Sequence, residues 1–275
     1  MLKRKNSLPK ISIITPSFNQ VDFIERTIRS VIEQKYPNLE YIIKDGGSVD
    51  GSLKIIKDYA KRYPKIIKWI SMKDKGQADG INQGLKIASG EILAYLNSDD
   101  TYPPEIIKKV AKFFNENPDV MWVTGKCKII DENDKEIRSW IKIYKNFWLK
   151  FYHYKTLLII DYISQPATFW RKKALEEIGY FNPRKQYTMD YDYWLRLGKK
   201  YPPGIIWEYL ANFRVHQTSK GRTRFVEQFA EDLKTAKDYT KNPILINLHR
   251  FSNFGITTSY WIIAFMARIF KFLRE

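Results

Sequence analysis

The stretch Ile11-Ser12-Ile13-Ile14-Thr15-Pro16-Ser17-Phe18-Asn19 decides the fold. Its first five residues are mostly apolar and β-branched, and a proline followed by polar turn formers stops the run. So short an apolar run, bounded in this way, reads as a buried strand whose carboxyl end opens into a polar loop. Leu39 to Lys44, Ile66 to Ile70 and Glu91 to Leu96 share that design. Between the first two strands, Phe23, Ile24, Ile28, Val31 and Ile32 recur at helical spacing, ending near Tyr36-Pro37. Further helix-like segments run from Ser52 to Tyr63, with Leu53, Ile56, Tyr59 and Ala60 on one face, and from Asp79 to Ala88. Strands alternating with helices predict an α/β fold: a mostly parallel central sheet flanked by helices.

Beyond Pro103-Pro104 the pattern changes. A helix is expected from Glu105 to Asn115, then strands from Val120 to Gly125 and from Lys128 to Asp131. An aromatic, basic stretch from Trp140 to Tyr162 precedes a compact region from Gln165 to Arg214. From Lys220 onward the chain reads as helical, basic and aromatic, with a break near Asn242-Pro243. No Gly/Ser-rich linker intervenes. The expected organisation is one domain over 8–220, in halves of about 8–103 and 104–220, with a C-terminal helical appendage over 221–275.

Across 275 residues, 47 Lys+Arg against 30 Asp+Glu give a net charge of +17. Such an excess bears on partners rather than fold. It suits nucleic acid, acidic lipid or a phosphate-bearing substrate, and equally a set of solvated helix faces. The single cysteine, Cys127, excludes an internal disulfide framework and a cysteine-based zinc cluster, and fits a reducing compartment. Met1 to Asn6 is basic without the apolar core of a signal peptide. The longest uncharged stretch, between Arg250 and Arg268, is interrupted by Ser252, Asn253, Thr257, Thr258 and Ser259. It falls short of the roughly 20 apolar residues a membrane span needs. A cytoplasmic protein is expected, with peripheral contact at the inner face of the cell membrane as an option.

In an open parallel sheet, ligands bind beyond the carboxyl ends of the strands. Those ends carry Thr15 to Asn19 after strand one, Asp45-Gly46-Gly47-Ser48-Val49-Asp50-Gly51-Ser52 after strand two, and Asn97-Ser98-Asp99-Asp100 after strand four. Two carboxylates directly after an apolar strand would repel and lose solvation, which a hard divalent cation relieves. The same pair can instead cap the helix beyond Pro103. Asp45 to Ser48 reads as a turn with Asp50 or Ser52 capping the next helix. That leaves Asp45 at the mouth of the sheet, where a carboxylate can accept from a base-ring N–H or a ribose hydroxyl. Neither a P-loop nor a GxGxxG pattern is present.

Taken in order, these segments resemble glycosyltransferase family 2, the inverting enzymes of the GT-A, Rossmann-like fold. The motifs are Thr15-Pro16-Ser17-Phe18-Asn19, Asp45 to Ser52, Asp74-Lys75-Gly76-Gln77-Ala78-Asp79-Gly80-Ile81-Asn82-Gln83-Gly84, Gly90-Glu91 and Leu96 to Asp100, and the likeness covers most of 10–220. The resemblance implies a nucleotide-sugar site built from Thr15, Pro16, Ser17, Asn19, Asp45, Gly46, Asp74, Gly76, Asn82, Asn97, Ser98 and Asp99. Within it Asp45 would read the base, Pro16 and Asn19 would line the nucleoside pocket, and Asp99 would bind Mn2+ or Mg2+. Asn97 stands where the family's DxD signature has its first aspartate.

The resemblance also implies a late acidic base. Thr188-Met189-Asp190-Tyr191-Asp192-Tyr193-Trp194-Leu195-Arg196 is similar to the family's Glu-Asp-x-x-x-Trp-x-Arg pattern. Asp190 is favoured as base and Asp192 competes, with an ordinary helix pair to Arg196 as its alternative role. His216, after Asn212-Phe213-Arg214-Val215, resembles a family histidine near the diphosphate and metal. A surface histidine is its alternative; His153 and His249 are expected to be non-catalytic. Gln165 and Trp194 are assigned to the acceptor side, with burial as the competing reading for the segment from Gln165 to Arg171.

Trp140, Tyr144, Phe147, Trp148, Phe151, Tyr152 and Tyr154, interleaved with Lys142, Lys145, Lys150 and Lys155, can form an interfacial belt, a core stripe, a dimer contact or a sugar-stacking surface. Trp261, Phe265, Arg268, Lys271, Phe272 and Arg274 repeat that character. The expected activity is metal-assisted transfer of a sugar from a nucleotide-diphosphate donor, a UDP-sugar favoured, to a sugar or lipid-linked acceptor in polysaccharide, glycolipid or glycoprotein assembly. Possible partners include an anionic membrane surface and a second copy of the chain. A nucleotidyltransferase is the alternative, but Pro16-Ser17-Phe18-Asn19 is no Gly-rich, Lys/Arg-bearing loop. A nucleic-acid binder is suggested by charge alone, since no helix-turn-helix, zinc-finger or ribonucleoprotein motif occurs.

Overall fold

The computed structural model describes residues 8–137, 139–217, 219 and 224–272, without side chains at 139, 225 and 259–272. Seven strands form one sheet in the order β3-β2-β1-β4-β6-β5-β7. They are β1 (Ile11–Ser17), β2 (Leu39–Asp45), β3 (Ile67–Ser71), β4 (Ile92–Tyr95), β5 (Trp122–Ile130), β6 (Thr168–Arg171) and β7 (Gly204–Arg214). All neighbours are parallel except β6, which runs against both β4 and β5.

Every residue of β1, β2 and β4 is buried, the mark of a sheet covered on both faces. On one face α1 (Ile24–Ile32), α2 (Ser52–Arg62) and α4 (Ile106–Glu116) insert Ile28, Ile56 and Val110 into a core shared with Ile11 and Ile13. On the other, α3 (Gln77–Ile87) lays Ile81 and Leu85 over Ile14 and Ile42. A Cβ on Gly84 would stand 2.6 Å from the Ile14 side chain, so glycine there permits the close approach of α3 to β1. Full burial of each such aliphatic side chain stabilises by about 1.5–3 kcal/mol.

Register then sets the geometry of the site. Ser17 on β1 lies opposite Asp45 on β2, and Asp45 lies opposite Ser71 on β3, so the three carboxyl ends are level. The Leu96 N–H donates to the Ile14 carbonyl at 2.8 Å, which starts the loop after β4 beside them.

Several local readings need correction. The two expected strands from Val120 to Asp131 are one, β5, whose register against β7 shifts around Lys126. A Cβ on Gly125 would lie 2.6 Å from Leu210 and 2.8 Å from the Ile206 carbonyl, so the polar interruption is a bulge, not a break. Asp100 caps no helix: α4 begins after Glu105, which has φ 62°. Gly51, at φ 106°, precedes α2, and Asp50 supports it by accepting the Ser52 N–H at 2.9 Å.

The second half adds α5 (Ser139–Lys150), the short α6 (Tyr154–Leu157), α7 (Lys172–Ile178) and α8 (Met189–Lys200). The C-terminal helices α9 (Phe225–Tyr239) and α10 (Pro243–Phe272) break where expected, at Asn242-Pro243. Ala236 of α9 belongs to the core on the α3 face of the sheet, and Leu245 of α10 packs against it. No helix among the described residues is long and apolar enough to cross a membrane.

Candidate functional site

The loop after β2 is built around Asp45. Its carboxylate is fully buried and accepts the N–H groups of Gly47 and Ser48 at 3.0 Å each, the Ser71 hydroxyl at 2.7 Å, and the Ser48 hydroxyl. Lys44, also fully buried, spans the ends of β2 and β3: its Nζ donates to the Asp45 carbonyl at 2.9 Å and to the Met72 carbonyl, and pairs with Asp74 at 3.4 Å. Asp74 in turn accepts the Gly76 N–H at 3.0 Å, ahead of α3. A Cβ on Gly46 would sit 3.0 Å from Asp74 Oδ2, so the small residue keeps that corner open.

The β1 loop closes against this one. Asn19, at φ 51°, accepts the Val49 N–H at 3.0 Å and donates its own N–H to Ser48 at 2.9 Å. Thr15 is buried beneath and accepts from the Tyr41 hydroxyl at 3.0 Å. Pro16 is buried too, and the buried Ser17 hydroxyl at the strand end has no partner among the described residues. A buried hydroxyl left unpaired at a sheet mouth is a ready contact for a ligand.

After β4 the side chains diverge in role. Asn97 donates to Asp100 at 3.2 Å and to Gln165 at 3.1 Å, and accepts from Gln77 at 2.7 Å. Ser98 is buried beside them. Asp100 is fully buried and accepts the Arg214 N–H at 2.8 Å. Burial and the charge of Asp99 push its carboxyl well above the usual range, against the opposing pull of that bond and of Asn97. Asp99 instead faces outward at 20% side-chain exposure, with His216 Nε2 3.1 Å from its Oδ2.

Arg214 explains this alignment. Its buried guanidinium donates to the Asp99 carbonyl at 2.7 Å, to the Asp131 carbonyl at 2.7 Å and to Asp134 at 2.6 Å. The end of β7 is thereby clamped to the β4 loop, and His216 is delivered two residues on. The ring rests 4.5 Å from that of Phe23 and is buried, not on the surface. The Asp99 carboxylate is the ligand type that Mn2+ or Mg2+ takes, and the His216 imidazole stands within reach of an ion held there. No group of three or more His, Cys, Asp or Glu able to hold a metal occurs among the described residues, so a cation here would complete its shell from the diphosphate and water.

Beside this floor opens a cavity of about 270 Å³, bordered by Gln165 and by Val215 next to His216. Asp190 lines it from the first turn of α8, its Oδ1 accepting the Tyr191 N–H at 2.9 Å. Burial pushes the Asp190 carboxyl up, opposed by that N–H and by Lys145. Asp192 points away: it pairs with Arg196 at 2.9 Å and accepts the Tyr239 hydroxyl at 2.7 Å, tying α8 to α9.

Three assignments shift. Asn82 spends both ends of its amide on the Phe181 backbone, at 2.8 and 3.0 Å, and clasps α3 to the loop after α7 rather than facing a ligand. Trp194 is fully buried and stacked on Trp122 at 6.0 Å, so it packs the core rather than the acceptor side. Gln165 borders the cavity, yet its amide serves the floor through Asn97 and the Tyr95 carbonyl, the latter at 2.7 Å. The sequence motifs assign no role to Lys44 or Arg214, which hold the loops after β2 and β4. For Lys44, a lysine between the apolar run Tyr41-Ile42-Ile43 and Asp45 at the strand's end is the available signal. The side chains of Trp261, Phe265, Arg268, Lys271 and Phe272, and all of Arg274, lie outside the described residues.

Comparison with known proteins agrees with this architecture. An uncharacterized glycosyltransferase of Nostoc sp. is 35% identical over 128 residues, covering 46% of this chain and 39% of the relative. The chain thus spans well under half of that relative's length. The mannosyltransferase PcManGT from Pyrobaculum calidifontis, solved with GDP-Man and Mn2+, superposes with a TM-score of 0.66 at 17% identity, over 96% of this chain and 81% of its own. TarS of S. aureus, solved with UDP-GlcNAc, gives 0.59 at 18% identity, over 83% of this chain and 66% of its own. At such identities the two structures speak for the fold. The Glycosyl transferase family 2 model matches residues 12–179, and the chain belongs to that family.

Proposed function

We propose that the protein is an inverting glycosyltransferase that moves a sugar from a nucleotide-diphosphate donor to an acceptor hydroxyl. The observation that carries this is the convergence of Asp99 and His216, at 3.1 Å, beside a cavity into which Asp190 faces. In this reading the level ends of β1, β2 and β3 seat the nucleoside against Asp45, Ser17 and Asn19. Asp99 and His216 hold Mn2+ or Mg2+, which neutralises charge on the departing diphosphate. Asp190 takes the proton from the attacking hydroxyl, and its buried setting makes it more basic than an exposed carboxylate. Asp45, Ser48 and Asn19 already bond one another, so the nucleoside subsite is preorganised.

The solved neighbours were captured with a GDP-sugar and a UDP-sugar, which supports a nucleotide-sugar donor and leaves uridine and guanosine as the first to test. Calorimetric titration of UDP, GDP and TDP with and without Mn2+ tests the donor half. Metal-dependent binding of at least one is expected, and binding of none would contradict the reading.

The acceptor side is proposed to meet a sugar or lipid-linked substrate at an anionic membrane surface. α5 turns Trp140, Ile143 and Phe147 outward, with Phe151 exposed just beyond its end, and α10 turns Ile244, Leu248, Phe251 and Phe254 outward. Both helices also line the cavity. Lys150 on α5 and Arg250 on α10 supply the charge that anionic headgroups attract.

A further inference from the structure

The cavity beside Asp190 holds more than a base. Asp161, Asp190 and Asp232 all line it, together with Lys142 and Lys145, in a protein of net charge +17. Asp232 comes from α9. It is 7% exposed, and its Oδ1 has no hydrogen-bond partner among the described residues. Its Oδ2 lies 3.3 Å from His249 Nε2 of α10, and His249 is itself fixed by its Nδ1 at 2.9 Å from the Leu158 carbonyl. One oxygen of Asp232 is therefore held from behind while the other is left unpaired. Asp161 Oδ1 is likewise buried without a partner. Burial pushes the Asp161 carboxyl well above the usual range, opposed by Lys145 and reinforced by the charges of Asp190 and Asp232.

Unpaired buried carboxylate oxygens are costly, and native proteins retain them where a ligand supplies the missing donors. About 270 Å³ lies at the small end of ligand pockets, which run to roughly 300–1,000 Å³, and gives room for one sugar ring. Gln228 of α9 and Asn253 of α10 add neutral polar groups to the wall. A sugar's hydroxyl groups would donate to the unpaired carboxylate oxygens, whereas an anionic group would meet three carboxylates against two lysines, of which Lys142 is already paired with Glu136.

We propose that Asp232 and Asp161 form an acceptor subsite that binds the hydroxyls flanking the reacting one on a neutral sugar, and that the C-terminal helices thereby complete the active site. This deepens the glycosyltransferase reading and rests on it. Asp232 and Asp161 act as specificity-determining residues: they accept hydrogen bonds from the sugar and exclude acceptors that carry a carboxylate or phosphate on that ring.

Methyl glucopyranoside, methyl galactopyranoside, methyl mannopyranoside and methyl glucuronide are the probes, each titrated into the full chain by ligand-observed NMR. At least one neutral glycoside is expected to bind, and the glucuronide at least tenfold more weakly. Asp232→Asn and Asp161→Asn should each weaken the neutral glycoside tenfold or more, because each replaces an acceptor oxygen with an NH2 group that faces a hydroxyl donor. Titration of nucleoside diphosphate on the same samples reports the donor half separately, so loss of that binding would count against the glycosyltransferase reading and not against the subsite. Asp161→Asn serves if Asp232→Asn, released from His249, does not fold. No neutral glycoside bound by the wild type, equal binding by the folded variants, or preference for the glucuronide would each overturn the proposal.

Discussion

His216 Nε2 lies 3.1 Å from Asp99 Oδ2 across 117 positions of sequence, and Arg214 between the two loops holds them there. The pair is assembled by tertiary structure alone. Asp99→Ala is expected to abolish the metal-dependent part of nucleoside diphosphate binding, and His216→Ala to weaken it. Calorimetry with and without Mn2+ checks this. Binding that is independent of both substitutions would remove the pair from the metal account.

Asp190→Asn should lower kcat by about 10²–10⁴-fold while donor affinity stays within a few-fold, as expected for loss of a general base. The pH profile carries the sign. Burial raises the Asp190 carboxyl, so activity should fall as pH drops through a value above the ordinary carboxylate pKa of about 4. A kcat/KM limb that stays near 4, or that persists in Asp190→Asn, would assign the base elsewhere. Asp192→Asn should instead act on stability through Arg196 and Tyr239.

Glu40 offers a test of the fold independent of catalysis. It is almost fully buried and accepts from Ser12, from Lys68 at 2.8 Å and from the Ser89 N–H at 2.8 Å. Burial alone would raise its pKa, and those hydrogen bonds outweigh it, pulling the value down to about 2. A depressed folded pKa means the stabilisation is present above the unfolded value and is lost as pH falls toward about 2. Chemical denaturation of Glu40→Gln should therefore show a deficit of about 1–3 kcal/mol at pH 7 that shrinks below pH 4. A deficit that does not depend on pH would contradict this.

Trp194→Ala tests the reassignment of that residue to the core. Removing a buried indole stacked on Trp122 should cost about 3–5 kcal/mol, read as a lowered denaturant midpoint. At temperatures where the variant is folded, acceptor KM should be little changed. A large acceptor effect without loss of stability would restore it to the acceptor side.

Membrane contact predicts that the full chain co-sediments with vesicles containing anionic lipid and not with neutral ones. Phe251→Glu together with Phe254→Glu, both exposed on α10, should reduce that association. If the outward stripes instead join two copies, the same variants would shift the oligomeric state in light scattering and leave vesicle binding unchanged.

The parallel half of the sheet and the loops at its mouth were legible in the sequence because their information is local. Each of Ile11 to Asn19, Leu39 to Ser52 and Glu91 to Asp100 is an apolar run that ends in a polar loop, and parallel pairing puts those ends together. What the sequence hid depends on distant partners. Asn82 sits inside a motif that points to a ligand, yet its amide bonds Phe181, 99 positions away. Asp100 reads as half of a carboxylate pair, but Arg214 draws it into the interior and leaves Asp99 outside. Asp232 carries no motif at all. Its role follows from the packing of α9 and α10 over the cavity, which helical periodicity in a basic, aromatic tail does not specify.

Incubation of the full chain with UDP-, GDP- and TDP-sugars and Mn2+, with a simple glycoside as acceptor, tests the central claim most directly when read by NMR of the anomeric centre. The account predicts release of nucleoside diphosphate and a product of inverted anomeric configuration, both lost in Asp99→Ala and Asp190→Asn. Release of pyrophosphate, a retained configuration, or full turnover in either variant would contradict it.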